Sequence, residues 1–235
     1  MTKPEKTLIH RRDWVFDLDN TLYPATCNLF AQIDVRMTDF VARYLDLNKS
    51  EARAIQKKYY KEHGTTLNGL MNLHGMDPVD FLDFVHDIDH SPLPVCQILQ
   101  RSLTDLPGRK FVLTNGSSKH ADNVLSAMQL EHVFEGVFGI EDMAYQPKPD
   151  PRAFDRFIDT FQINPNEAVF FEDLARNLEP ASAMGFATVL VESDMDWSHE
   201  PEGARPGERG IEPHPFIDHR TDNLTAFLQD VLAKP

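Results

Sequence analysis

Asp13-Trp14-Val15-Phe16-Asp17-Leu18-Asp19-Asn20-Thr21 is the stretch on which the reading of this 235-residue chain turns. It opens as a short apolar run with the β-branched and aromatic content of a buried strand, and it ends in two carboxylates two residues apart. Residues i and i+2 of a strand share a face, so Asp17 and Asp19 can serve one site. Two acids behind an apolar run repel one another unless a cation or a proton intervenes, and a bound Mg²⁺ would resolve that repulsion. The alternative is a strand end that the two acids merely cap or solvate. A D-x-D-x-T match by itself arises by chance on the order of one time in ten in a chain this rich in Asp and Thr, so its position carries the weight.

Working outward, Lys110–Thr114, Gly136–Ile140, Ala168–Phe171 and Ala187–Val191 read as further buried strands. Between them lie helix patterns: 118–130 after the caps Ser117 and Ser118, 151–161 from Pro151 behind Asp150, and one from about Asn177 that stops at Gly185. Strands alternating with helices predict an α/β chain with a parallel sheet covered by helices. The stretch 24–97 breaks the rhythm with helices at 28–45, 49–62 and 78–88, begun by Asn48 and by Asp77-Pro78, and no strand. The expected organisation is a core of residues 1–23 and 98–235, interrupted by a helical insertion at 24–97. Residues 194–215, dense in Pro, Gly, Glu and Arg, read as an exposed loop before a strand at 216–219 and a helix at 221–232.

A formal net charge of −14 argues against nucleic-acid polymers and anionic membranes, which call for concentrated Lys and Arg. A small phosphorylated metabolite remains compatible, because one pocket can be positive inside an acidic protein. No apolar run reaches the length of a membrane span, and Met1–Arg12 has no secretory pattern, so the expected address is cytoplasmic. Cys27 and Cys96 are too few for a disulfide framework and read as free thiols.

Three other strand ends carry suitable groups. Thr114-Asn115-Gly116-Ser117 offers a hydroxyl, an amide and backbone N–H groups ahead of a helix, although such a segment alone is equally a turn with a cap. Lys148 sits between a strand and a helix in Lys148-Pro149-Asp150-Pro151, where Asp150 reads as the N-cap. Glu172 and Asp173 close another apolar run, followed by Arg176 and Asn177. Ligands of open α/β sheets bind beyond the carboxyl ends of the strands, which is where these groups fall.

The four segments, in this order, resemble the motifs of the haloacid dehalogenase superfamily, and Asp19 favours its phosphatase branch. The resemblance spans nearly the whole chain and implies a Rossmann-like parallel-sheet core with an inserted α-helical cap. Carried over residue by residue, it makes Asp17 the nucleophile that forms an aspartyl-phosphate and Asp19 the general acid and base. It implies that Mg²⁺ is held by Asp17, the Asp19 carbonyl, Asp173 and Glu172, the last directly or through water. Thr114, the Asn115 amide and Lys148 would stabilise the phosphoryl oxygens.

Within the insertion, Tyr59–Leu70 together with Asp17–Pro24 is similar to the pyrimidine 5′-nucleotidase family, which dephosphorylates UMP and CMP. That similarity points to Tyr60, His63, Thr65, Thr66 and Asn68 as substrate contacts. The competing reading is a helix–loop joint with Gly64 and Gly69 as breakers and the tyrosines as packing. His86 and His90 have the i, i+4 spacing of a zinc pair but lack the accompanying Glu, and read as a solvated helix end. A dehalogenase would need neither Asp19 nor the Glu172-Asp173 pair. A sugar-phosphate mutase would keep every motif, and a non-catalytic binding protein is expected to have lost some of them.

Overall fold

The computed structural model describes residues 8–197, 205, 207 and 214–234. Its strands are β1 (Asp13–Phe16), β2 (Arg109–Leu113), β3 (Gly136–Phe138), β4 (Ala168–Glu172), β5 (Ala187–Val191) and β6 (His219–Thr221). All pair in parallel, in the order β3-β2-β1-β4-β5-β6. The alternation of strand side chains builds two cores, one on each side of the sheet. Val15, Phe111 and Phe170 belong to one apolar cluster, while Trp14, Phe16, Val112 and Phe171 belong to the other. Phe16 and Phe171 stack across β1 and β4 with centroids 4.6 Å apart. Burial on both faces is why these strands read as near-continuous apolar runs.

Between β1 and β2 the chain forms α1 (Leu29–Leu45), α2 (Lys49–His63), α3 (Thr66–His74), α4 (Pro78–Val85) and α5 (Gln97–Asp105). After β2 come α6 (Ser118–Ala127), α7 (Pro151–Phe161), α8 (Ala175–Met184) and α9 (Leu224–Ala233). The caps fall where the sequence places them. Asn48 and Glu51 form a capping box at α2, and Asp77, Ser117 and Asp150 each accept a backbone N–H at the start of α4, α6 and α7. Gly185, at φ 109°, stops α8 in a conformation that favours glycine.

Several boundaries differ from the sequence reading. Gly64 breaks the chain between α2 and α3 with φ 82°, but Gly69 lies inside α3. There it is a packing device, because a Cβ at position 69 would sit 2.4 Å from Cβ and Cγ of Tyr59 on α2. The helix expected at 78–88 stops at Val85. The strand expected at 216–219 is displaced to β6, because Thr188 on β5 captures the preceding turn: its hydroxyl donates to the Phe216 carbonyl and accepts from the Asp218 N–H. Helix α5 has no counterpart in the sequence reading. The loop expected at 194–215 lies largely outside the described residues, His199 included. Cys27 and Cys96 are free thiols, and no helix among the described residues is long and apolar enough to cross a membrane.

Candidate active site

The order of the strands places β1 between β2 and β4, so the segments leaving these three strands converge at one end of the sheet. Asp17 follows β1 directly, and its backbone N–H donates to the Phe171 carbonyl on β4 at 2.9 Å, extending the ladder by one residue. Thr114 follows β2, and Glu172 ends β4 with Asp173 next.

Lys148 enters this cluster from the loop before α7. Its Nζ donates to Asp17 Oδ1 at 2.7 Å, to Glu172 Oε2 at 2.8 Å and to the Leu113 carbonyl at 2.7 Å. All three ammonium donors are thus used, as a lysine only 1% exposed requires. Ligand oxygens of Asp17, Glu172 and Asp173 lie within 4.8 Å of one another, and all three residues are buried. Burial pushes Asp17 up to about 8; Glu172 adds to that shift and Lys148 opposes it. Burial and Glu172 likewise push Asp173 well above the usual carboxylate range. Burial alone would lower Lys148, but Asp17 and Glu172 outweigh it and hold the amine charged. Three buried carboxylates facing one ammonium leave negative charge in excess, and the donors are hard oxygens. The residues therefore fit a divalent cation such as Mg²⁺, held by Asp17, Asp173 and Glu172.

Asp19 is held differently. Its Oδ1 accepts from the Tyr23 hydroxyl at 2.5 Å and contacts His120 Nε2 at 2.9 Å. Burial would raise its pKa, but His120 and Tyr23 outweigh that and hold the carboxyl below its ordinary value. Thr114 Oγ1 accepts the Gly116 N–H at 3.0 Å and so shapes the turn after β2. Asn115 has a job the sequence did not suggest. Its side chain clamps the lysine loop, accepting the Lys148 N–H at 2.9 Å and donating to the Lys148 carbonyl at 3.0 Å. Both ends of that amide are spent on placing Lys148, and the Gly116 N–H of the same turn is already given to Thr114 Oγ1.

The insertion roofs the cavity. Phe30, Ile33 and Met37 of α1 and Phe81, Leu82 and Val85 of α4 line an apolar chamber that opens onto Asp17, Asp19 and Asp173. At its side, Asp34 accepts from Arg53 at 2.7 Å, Gln56 at 2.7 Å and Lys57 at 2.9 Å. Of the five expected substrate contacts, Tyr60, Thr65 and Thr66 line this chamber. His63 and Asn68 instead line a separate groove beside Tyr145, Pro147 and Arg152. The polar atoms of the segment are largely occupied by local structure: Thr65 Oγ1 caps α3 by accepting the Asn68 N–H, and Thr66 donates to the Gln56 carbonyl. Tyr60 bridges to the core, its hydroxyl bonded to Arg176 Nη2 and its ring 4.8 Å from that guanidinium. The helix–loop joint thus accounts for most of these side chains, and one face of Tyr60 is already covered by a cation.

Two further findings escape the sequence reading. His86 is half-buried rather than a solvated helix end. Its ring stacks on the fully buried His120 at 4.4 Å and 11°, and its Nδ1 lies 2.9 Å from Ser117 Oγ. Burial pushes its pKa down to about 3, so it is neutral. Asn20 is also drawn in, its amide donating to Asp173 Oδ2 at 3.5 Å. A clue to His120 was present in its position three residues after the cap Ser117, on the first turn of the helix that follows the phosphate-loop candidate.

A parallel sheet with an acid-tipped central strand, a buried lysine and an acidic pair on the neighbouring strand defines a hydrolase of the haloacid dehalogenase type. Residues 15–185 match the haloacid dehalogenase-like hydrolase family, and the chain belongs to it. Among curated proteins it is 25% identical over 251 residues to phosphate metabolism protein 8 of Saccharomyces cerevisiae, covering 96% of this chain and 72% of that protein. Among solved structures it resembles a HAD phosphatase from Thermococcus onnurineus, with a TM-score of 0.61, 18% identity and coverage of 94% of this chain and 97% of that one. It also resembles an L-2-haloacid dehalogenase from Xanthobacter autotrophicus with chloropropionic acid covalently bound, with a TM-score of 0.59, 15% identity and coverage of 96% and 100%. At such identities the structural likeness speaks for the fold alone.

Proposed function

We propose that this chain is a magnesium-dependent phosphomonoester hydrolase that works through phosphorylated Asp17, with pyrimidine nucleoside 5′-monophosphates such as UMP and CMP as its substrates. The observation that carries the reading is the pairing of Asp17, held by Lys148, with a second carboxylate, Asp19, in the same cavity as the Asp17, Glu172 and Asp173 cluster. A dehalogenase has no use for Asp19, because a halide leaves without a proton, and none for a cation site.

Asp17 attacks phosphorus, and the bond to the substrate oxygen breaks as Asp19 delivers a proton to it. Water then attacks the phosphorus of the aspartyl-phosphate as Asp19 takes the water's proton, and the bond to Asp17 breaks, restoring both acids. The depressed pKa of Asp19 suits it to the second step, and an arriving phosphate dianion favours its protonation for the first. Lys148 keeps Asp17 oriented and its charge balanced, while the 114–116 turn offers donors to the equatorial oxygens. Asp17, Asp173 and Glu172 would hold the cation, which would supply charge neutralisation for the phosphoryl group.

The pyrimidine assignment rests on the resemblance of Asp17–Pro24 and Tyr59–Leu70 to that family, and an apolar chamber with polar groups at one side suits a flat base. The helices of 24–97 act as a cap that excludes water during turnover. The chain is expected to be cytoplasmic. The test is phosphate release from UMP, CMP, AMP, GMP, sugar phosphates and phosphoglycolate, with Mg²⁺ and with EDTA. Magnesium-dependent preference for UMP and CMP is the expected result. Sugar-phosphate preference would overturn the nucleotidase assignment, and absence of any hydrolysis by folded protein in Mg²⁺ would overturn the hydrolase mechanism.

A further inference from the structure

We infer that His120 is a positioning residue for Asp19, fixing which carboxylate oxygen exchanges the proton with the substrate; this rests on the phosphomonoesterase reading above. His120 stands on the first turn of α6, with its backbone N–H on Ser117 Oγ at 3.1 Å and its ring 0% exposed. Its Nε2 lies 2.9 Å from Asp19 Oδ1, across 101 residues of chain. Nδ1 has no hydrogen-bond partner. With the proton on Nε2, the imidazole donates to Asp19 and leaves at Nδ1 a bare lone pair; the other tautomer would strand an N–H and set two acceptors against each other.

Three further contacts give this arrangement a purpose. The Tyr23 hydroxyl donates to the same Oδ1 at 2.5 Å, so two donors occupy one oxygen of Asp19. The other oxygen, Oδ2, faces the turn after β2, where a Cβ on Gly116 would approach it to 3.7 Å. His86, from the insertion, lies flat on the His120 ring at 4.4 Å and is tied to Ser117, which fixes the imidazole plane. Oδ1 is therefore the anchored oxygen and Oδ2 the working one. In the first step Oδ2–H gives its proton to the departing alkoxide as the P–O bond breaks and the Asp17–P bond forms. In the second, Oδ2 takes a proton from the attacking water as the Asp17–P bond breaks. Without His120 only Tyr23 holds Oδ1, so the carboxylate loses one of its two anchors and proton delivery suffers more than metal or phosphate binding.

Leaving-group dependence reads this effect and a packing role would not move it. An alkyl phosphate such as UMP needs the proton, whereas p-nitrophenyl phosphate releases an acidic phenol that does not. His120→Ala is expected to lower kcat/KM for UMP by about a hundredfold, chiefly in kcat, and for p-nitrophenyl phosphate by less than about tenfold, in the wild-type range of Mg²⁺. His120→Gln, whose terminal N–H reaches as an imidazole Nε2 does, restores most of the UMP activity, and the shorter His120→Asn does not. Should the Ala variant fail to fold, the comparison of Gln with Asn carries the same test. Equal losses of kcat/KM on both esters, or no loss on either, would overturn the positioning role while the wild-type turnover left the hydrolase reading standing; kcat/KM is the readout because it ends at the aspartyl-phosphate, whereas kcat also carries the water attack that both esters share. A wild-type enzyme inactive on both esters would overturn the two together.

Discussion

Replacing Lys148 by Met tests the logic of the buried cluster most directly. The lysine is 1% exposed and gives its three donors to Asp17, Glu172 and the Leu113 carbonyl, at 2.7, 2.8 and 2.7 Å. Methionine keeps much of the volume but leaves three buried carboxylates with no counter-charge. Removing one partner of a buried ion pair costs about 3–5 kcal/mol, because the uncompensated charge stays behind. Protonation of Asp17 and Asp173, both already pushed up by burial, relieves part of that cost and places the expected loss near the lower bound, about 3 kcal/mol. The assay is urea unfolding followed by circular dichroism at neutral pH, in EDTA and in saturating Mg²⁺. Mg²⁺ should stabilise the variant more than the wild type, since the cation meets the carboxylates without a competing ammonium. Turnover should fall by at least about a hundredfold, the usual worth of a charge-stabilising donor. A loss in EDTA below about 1 kcal/mol, the range of an exposed ion pair, would refute the reasoning.

Asp17→Asn should abolish phosphate release while leaving the circular dichroism spectrum intact, because an amide neither attacks phosphorus nor balances Lys148; turnover retained in the folded variant would exclude Asp17 as nucleophile. Asp34 is held below its ordinary pKa: burial raises it, but Lys57 and Arg53 outweigh that. Its ionised form therefore stabilises the fold above the unfolded value of 3.8, and that contribution disappears as pH falls through the lower folded value. Asp34→Asn should accordingly cost about 1–3 kcal/mol at pH 7 and progressively less in acid, read from urea midpoints across pH; a difference constant with pH would refute the charge argument. Gly69→Ala should destabilise by about 1–2 kcal/mol, the overpacking against Tyr59 exceeding the gain in helix propensity, and thermal unfolding would show a stabilised variant if that packing were loose.

Much of this protein is local, and what is local is legible in sequence. Asp13–Phe16 and Ala187–Val191 are buried over their whole length and mostly apolar because both faces of the sheet are covered, and Asn48, Asp77, Ser117 and Asp150 cap helices through their own side chains. Asp17, Asp19, Thr114, Lys148, Glu172 and Asp173 were recognisable because each stands at a strand end or in a loop beyond one. Other features depend on which strands are neighbours and where side chains point, and no spacing encodes these. Insertion of β1 between β2 and β4 brings Lys148 onto Asp17 across 131 residues and His120 onto Asp19 across 101. Packing of the insertion on the core half-buries His86 against His120, spends Tyr60 on Arg176 and makes Gly69 a contact rather than a break. Periodicity and capping are properties of neighbouring residues, so most elements and the kinds of group at their ends can be read along the chain. Which of those groups come close enough to share a proton, a cation or a wall is settled by strand order and burial, which sum over the whole chain.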